Sequence, residues 1–455
     1  MPFYKCDATH CREPSVRGEG VCFLCNSHYC AAHMKSGVHT CTKLAEEEYA
    51  VASARASENE INALLSEIRV DVLRARAMSL RNGISCDIPP LDYNPATALM
   101  GGMNYHFPIT FQDGVTWLCR IRRHNASSPP MELRDRILLS EAATLRFLAN
   151  TRIPVPKVYD FAISSPNNPV GVGYILMEKL DGKPLPPWST IDVDRRKHVL
   201  AQFVEVFAEL EKHPLPAIGS LRHPEDQSIG PLTIEQFADA DEDGHAKSLG
   251  PFSTATEYRY ETVRRQMELV SRGEVHHTNA VDSYLVHRYL LECVPWFARQ
   301  EEGSGSAYYL KHMDDKGDHI LVDDDFNITG IVDWEWAQTA PKSEAFAAPM
   351  FLLDVGSYYD GKNELSEGEE LFASMLEGKG HRELAQFVRR GRVEHRWASC
   401  LGGDAGFSDS LRAMFSGLRG SLRRDRDWDG WRKRSLKKYA NDKGLKLLTM
   451  KHTII

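Results

Sequence analysis

Ile61, Leu64, Leu65, Ile68, Val72 and Leu73 recur at the three- and four-residue steps that gather apolar side chains on one face of a helix. The pattern predicts an amphipathic helical segment from about Lys43 to Leu80, and Ser57-Glu58-Asn59-Glu60 has the form of a capping box ahead of the stripe. Such a stripe usually faces the core of its own chain, so the segment is expected to dock on a domain. From about Asn94 the period shortens. Phe107-Pro108-Ile109-Thr110-Phe111 and Thr116-Trp117-Leu118-Cys119-Arg120-Ile121 read as strands, Leu138 to Ala149 as a helix, and Gly173-Tyr174-Ile175-Leu176-Met177 as a buried strand after Pro154-Val155-Pro156. Strands first and helices later predict an α+β fold with a small sheet-rich lobe before a larger helical one. From about Ile218 to Gly273 the pattern is polar and poorly periodic, with an acidic run at Asp239 to Asp243, and reads as an insertion or lid. The basic stretch from Arg419 onward is interleaved with Asp425, Asp427 and Asp429 and reads as a solvated helix face.

Composition narrows the function classes. The chain has 455 residues, 42% apolar and 26% charged, enough for two or three domains of an ordinary globular protein. A net charge of −8 argues against a dedicated nucleic-acid binder. No apolar run reaches the roughly 18 residues of a membrane-spanning helix. The N-terminus lacks a charged-then-apolar leader and passes directly into cysteines, so the expected location is cytoplasmic or nuclear.

Six of the ten cysteines lie between Cys6 and Cys41. In a reducing compartment this cluster reads as metal ligands, and the scattered Cys86, Cys119, Cys293 and Cys400 as small buried hydrophobes. The spacing is Cys6-x4-Cys11-x10-Cys22-x2-Cys25-x4-Cys30-x2-His33-x5-His39-x-Cys41. Tetrahedral Zn²⁺ takes four ligands, and close Cys/His pairs supply two at a time, so eight donors in four pairs satisfy two ions. So short a segment cannot build its own core, and metal must supply its folding energy. The stretch from Cys22 to Cys41 resembles the ubiquitin-linked AN-one type of zinc finger. That resemblance implies cross-brace wiring, with Cys6, Cys11, Cys30 and His33 on one ion and Cys22, Cys25, His39 and Cys41 on the other. The first pair is wider than is usual in that family, which makes His10 a rival ligand. Both sites are closed, so the module is expected to offer a surface to a protein partner, and not to catalyse.

A second chemistry lies further on. Asp314 follows His312 by two residues in Leu310-Lys311-His312-Met313-Asp314-Asp315-Lys316-Gly317-Asp318-His319, and Asp333 stands nineteen positions later in Ile331-Val332-Asp333-Trp334-Glu335. Phosphoryl transfer needs one carboxylate to take the proton of the attacking hydroxyl and others to hold Mg²⁺ against the phosphates. This pair reproduces a kinase catalytic loop followed by a metal-binding aspartate. From about Ala98 to about Cys400 the chain resembles the aminoglycoside phosphotransferase and choline kinase-like superfamily, in particular its fungal branch. The resemblance implies a bilobal, protein kinase-like fold and an enzyme using ATP and Mg²⁺ to phosphorylate a small-molecule hydroxyl. It makes Asp314 the base and His312 a brace of the catalytic loop. Arg120 and Glu141 become the phosphate clamp, Gly101, Gly102 and Asn104 the turn over the phosphates, and Met177, Glu178 and Leu180 the adenine hinge. Asp333 becomes the main magnesium ligand. Where the family carries Asn this chain has His319, a poor Mg²⁺ ligand, so Asp318 is the alternative oxygen donor. The division expected is a zinc finger at 1–45, a helical linker at 46–93, the phosphotransferase-like domain at 94–400 and a helical basic tail at 401–455. The rival reading is a zinc-finger adaptor whose kinase-like domain is an inert scaffold or nucleotide sensor.

Overall fold

The computed structural model describes residues 1–35, 39–94, 99–301, 307–402 and 408–453. The N-terminal module is built on a short antiparallel pair, β1 (Val21–Cys22) with β2 (Ser27–His28), followed by helix α1 (Ala31–Lys35). Two helices come next, α2 (Glu46–Ser66) and α3 (Val70–Leu80), where the apolar pattern alone predicts one segment. The break falls at Glu67 to Arg69, where the Arg69 amide bonds the Val170 carbonyl at 2.8 Å and turns the chain along the sheet. The capping box at Ser57 does not form, because good helix formers upstream carry α2 back to Glu46. Ser57 and Glu60 instead accept from Arg123, at 3.3 and 2.8 Å, and tie α2 to the sheet.

That sheet is the small lobe. Its strands are β3 (Cys86–Asp87), β4 (Leu99–Met100), β5 (Asn104–Phe111), β6 (Thr116–Arg122), β7 (Val158–Ala162) and β8 (Tyr174–Glu178). They run antiparallel in the order β3-β5-β6-β8-β7, with β4 paired to β5. Successive side chains of a strand point to opposite faces, and the sequence exploits this. Tyr105, Phe107, Ile109 and Phe111 of β5, with Trp117, Cys119 and Ile121 of β6 and Tyr174 and Leu176 of β8, pack against Ile61, Leu64, Leu65, Leu73 and Ala77 of the two helices. The helical segment docks, as its stripe predicts. Ile175 and Met177 point the other way, to Leu138, Ala142 and Leu145 of helix α4 (Met131–Leu148). Arg120 and Arg122 lie out of phase with the apolar residues of β6 and are directed away from the α2–α3 core.

The large lobe follows β9 (Lys183–Pro184) and is mostly helical, built on α5 (Val193–Glu211), α6 (Ala255–Arg272) and α7 (Ala280–Glu301). The stretch expected as an insertion carries two hairpins, β10 (Ser220–His223) with β11 (Asp226–Gly230) and β12 (Asp239–Ala240) with β13 (Ala246–Lys247), before α6. Thr254 caps the start of α6, and Gly273 ends it at a left-handed φ of 85°. Strand β14 (Tyr309–Lys311) pairs with β17 (Gln338–Ala340), and the hairpin of β15 (Ile320–Val322) and β16 (Ile328–Ile331) lies between them in sequence. Among the described residues, eight further α-helices complete the lobe: α8 (Lys342–Ala345), α9 (Val355–Tyr359), α10 (Glu367–Gly378), α11 (Arg382–Arg390), α12 (Arg392–Leu401), α13 (Ser408–Ser421), α14 (Trp428–Lys438) and α15 (Lys443–Thr453). The basic tail is more than a solvated face. Leu411, Phe415, Leu418, Trp431, Tyr439 and Leu448 are buried in the same core as α6 and α7, and Arg419 is buried beside them, paired with Asp425 at 2.7 Å.

Candidate active site and metal centre

The module gathers its donors into two groups, Cys6 with Cys11, Cys30 and His33, and Cys22 with Cys25, His39 and Cys41. Within each, the ligand atoms lie within 4.8 Å of one another. Cys11 Sγ and Cys30 Sγ are 3.9 Å apart, His33 Nδ1 is 3.2 Å from Cys30 Sγ and 3.4 Å from Cys6 Sγ, and His39 Nε2 is 3.6 Å from Cys25 Sγ. A tetrahedral zinc site with Zn–S near 2.3 Å and Zn–N near 2.05 Å has edges of about 3.8 and 3.6 Å, so these spacings fit one ion per group. His10 stands outside both groups, exposed and at a positive φ of 64°. Electrostatics agree with the geometry. Burial, followed by the neighbouring Cys6, pushes the Cys30 thiol up to about 11, and burial with Cys22 and Cys25 does the same for Cys41. A metal ion bound among such thiols would hold them deprotonated.

The second constellation lies on the sheet face opposite the helical core. Arg120 Nε meets Glu141 Oε2 at 3.0 Å, and its Nη2 meets Asp333 Oδ1 at 2.9 Å. Strand alternation delivers Arg120, helix α4 delivers Glu141, and the turn after β16 delivers Asp333. Glu335, two residues beyond Asp333, is a member that sequence reasoning did not single out. It accepts from Arg122 and from Asn104 Nδ2, the latter at 3.3 Å, and lies 3.6 Å from Arg120 Nη2. Arg122 was readable, being on the same face of β6 as Arg120. Among these groups Arg120 and Glu335 are buried, whereas the Asp333 side chain is 45% exposed. Burial pushes Glu141 up to about 8 despite the Arg120 guanidinium. Burial also works against Asp333, but Arg120 outweighs it and holds that carboxyl below the ordinary range. On the same face, burial and Arg120 push His106 down to about 4, so it is neutral.

The loop expected to be catalytic connects β14 to β15. His312 Nε2 bonds the Val332 carbonyl at 2.9 Å, and its Nδ1 accepts from the Asp314 amide at 3.2 Å, which assigns the Nε2–H tautomer. One imidazole therefore ties the Asp314 loop to the Asp333 turn. The Val332 amide in turn bonds the His319 carbonyl at 2.9 Å. His319 is buried 4.2 Å from the His312 ring, and its Nδ1 accepts from the Gly317 amide at 3.3 Å. Burial, then His312, pushes His319 down to about 2, so it is a neutral imidazole with Nδ1 occupied. Gly317 has φ 109° and passes close to Phe351, a position that favours glycine. Asp314 is partly exposed, with Lys316 Nζ at 3.0 Å, and Asp318 is exposed beside it. Asp333 and Trp336 hold left-handed φ values of 62° and 64°, a strain that concentrates at functional turns. Among the described residues Asp314, Asp318, His319 and Asp333 do not gather within 4.8 Å as the cysteine groups do.

The remaining expected residues flank this cleft. Gly101 and Gly102 form the turn between β4 and β5, with both carbonyls accepting from Arg123 Nη1 at 3.3 and 3.4 Å. A Cβ on either glycine would meet nothing within 4 Å, so the turn itself does not demand glycine. Met177 and Glu178 end β8, and the Glu178 amide is spent on the Lys157 carbonyl at 2.8 Å. Leu180 packs over Gly330. At the head of the acidic stretch, Asp239 is held by ion pairs. Asp239 is paired with Arg272 at 2.9 Å and lies 3.7 Å from Arg17 of the module.

Comparison with known proteins bears on this constellation. Residues 109–343 match the model of the phosphotransferase enzyme family. Two subtelomeric hrmA-associated cluster proteins of Aspergillus fumigatus are 32% identical over 162 residues, covering 32% of this chain and 31% of theirs. The chain thus spans about a third of the length of these curated relatives. Among solved structures, a putative fructosamine-3-kinase from Thermobifida fusca is 14% identical with a TM-score of 0.44, covering 77% of this chain and 98% of that one. The aminoglycoside phosphotransferase APH(4)-Ia is 16% identical with a TM-score of 0.41, covering 78% and 98%.

Proposed function

The chain belongs to the phosphotransferase enzyme family, and we propose that it transfers a phosphoryl group from ATP to a hydroxyl of a small molecule. The observation that carries this reading is the buried clamp of Arg120 between Glu141 and Asp333, tied through His312 to a loop that presents Asp314. Asp314 takes the proton of the acceptor hydroxyl. Lys316, held at its carboxylate, is the group that must swing away or onto a phosphate when substrate enters. Arg120 exchanges Asp333 for a phosphate oxygen, which frees the Asp333 carboxylate. Met177 to Leu180 border the adenine, and Gly101, Gly102 and Asn104 cover the phosphates.

The donor chemistry fits magnesium at Asp333, an ionised hard oxygen at the solvent edge, with Asp318 or His319 as the auxiliary ligand. Asp318 is the better donor of the two, because His319 is a neutral imidazole already bonded to the Gly317 amide. Bound there, Mg²⁺ would neutralise phosphate charge. The chain itself needs this. Arg120 and Arg122 are already answered by Asp333 and Glu335, so these two cations have little charge left for a polyphosphate.

In the same reading the N-terminal module binds two Zn²⁺ ions through the eight cysteine and histidine donors. Its exposed Phe23 offers a surface to a ubiquitin-linked protein partner. The expected four-part division at 45, 93 and 400 is kept in this proposal with one amendment. The helical segment shares the small lobe's core and the basic tail shares the large lobe's core, so both act as parts of the phosphotransferase unit. A thermal-shift titration tests the nucleotide half of this proposal. ATP with Mg²⁺ stabilises the chain, and ATP alone stabilises it far less. No shift in either condition would remove both the enzyme and the nucleotide-sensor readings.

A further inference from the structure

The metal module is not a knob on a tether. Four of its side chains reach the parts of the cleft that must be held in place. Tyr4 donates to the Ser128 carbonyl at 2.7 Å, and His28, stacked on Tyr4 with ring centroids 4.1 Å apart, bonds the Ala126 carbonyl through Nε2 at 2.8 Å. Both carbonyls lie in the turn that leads into α4. Phe3 packs into a small apolar cluster with Leu133 and Ile137 of α4, Ala238, Ala246 and Trp336. Arg17 secures the other side, reaching Glu274 Oε2 at 2.9 Å and the Ala238 carbonyl at 2.8 Å.

Leu133, Ile137 and Glu141 are spaced four apart and so lie on one stripe of α4. The stripe begins on the module and ends on the Arg120 clamp. Trp336 is three residues beyond Asp333 in a turn with two left-handed residues, and Arg122 lies over its ring at 5.8 Å. The Phe3 cluster therefore touches both the helix that carries Glu141 and the turn that carries Asp333. Positions in packed interiors do not adjust continuously, so a lost wedge at one end of a stripe moves the other end.

We propose that the module is an internal brace of the phosphotransfer cleft, with Phe3, Tyr4 and Arg17 as positioning residues that hold α4 and the Asp333–Trp336 turn in register. The role of the brace in turnover rests on the phosphotransferase reading; its mechanical part does not. Ions bound in the module act on the cleft only by keeping these three side chains where they are. A protein partner that pulls the module from Ala126 and Ser128, or oxidation that removes its ions, loosens the cleft as a consequence.

The test uses the full chain, with Phe3→Ala and Arg17→Ala as the probing variants and Lys5→Ala, on the module's exposed face, as the control. Hydrogen exchange of the amides between 131 and 141 is expected to quicken in both probing variants and to match the parent in the control. The thiolate-to-cobalt absorption of the Co²⁺-substituted module is expected to persist, which separates loss of the brace from loss of the metal sites. Nucleotide turnover is expected to fall about tenfold through kcat with KM nearly unchanged, as for a misplaced but intact site. Exchange of α4 that is identical in Phe3→Ala and the parent would overturn the proposal. If Phe3→Ala fails to fold, Tyr4→Phe removes only the bond to Ser128, and an unchanged α4 exchange there is equally fatal. If the parent turns over no acceptor, the phosphotransferase reading falls while the exchange result still decides the brace.

Discussion

The metal module and the phosphotransfer cleft are both built from charged and polar side chains, yet they reach order by opposite routes. The module takes eight ligands from a stretch of 36 positions and brings each group of four within tetrahedral reach. The cleft takes its groups from β5, β6, α4 and two loops far along the chain, and neutralises them against one another. Arg120 lies on Glu141 and Asp333, and Lys316 lies on Asp314. A structural site is finished when its ion is bound. A site that must accept a charged substrate keeps its groups paired internally until substrate replaces the partners.

The difference can be broken first at the metal. Chelation of both ions is expected to unfold residues 1–41, since structural zinc supplies about 10 to 16 kcal/mol in comparable small modules, while the far larger core of the lobes persists. Loss of amide protection confined to the module and its α4 contact checks this, and metal analysis giving one zinc per chain in place of two would break it. Next is the cleft's internal pairing. Arg120→Ala leaves Glu141 and Glu335 buried without their shared partner and is expected to cost about 3 to 5 kcal/mol in urea unfolding. A cost below about 1 kcal/mol, the value of an exposed pair, would mean that the cluster is not a buried clamp. A comparable loss, about 2 to 5 kcal/mol, is expected for Leu73→Ala, which opens a cavity between α3 and the sheet without touching either site. The smallest effect is that of pH. Arg120 holds Asp333 below the ordinary carboxylate range, so its contribution is complete above that range and is lost only as pH falls through the depressed value. Wild type and Asp333→Asn are therefore expected to show parallel stability curves between pH 7 and pH 5, conditions chosen as roughly the span above carboxylate titration.

Local spacing made the module legible, because each ligand pair sits on one turn and the pairing needs only a short chain to close. The cleft was legible where residues near in sequence also touch in the fold, as His312 and the Asp314 amide do. Glu335 and His106 needed the sheet. Both are explained by strand alternation and by the left-handed turn at Asp333, which sends the residue two beyond it back toward Arg122. Ser57 misled because its capping form is also a pair of acceptors for Arg123, a tertiary role that local pattern cannot distinguish. The run from Asp239 to Asp243 shows the same limit, since Asp239 answers Arg17 and Arg272, partners that lie far away in sequence.

The most direct measurement is acceptor-dependent release of ADP from ATP·Mg²⁺ by the intact chain and by Asp314→Ala, across a panel of amino alcohols and sugars. The account predicts release with at least one acceptor and a fall of about a hundredfold or more in the variant, the loss expected when a general base is removed. Equal release by the two proteins would contradict it.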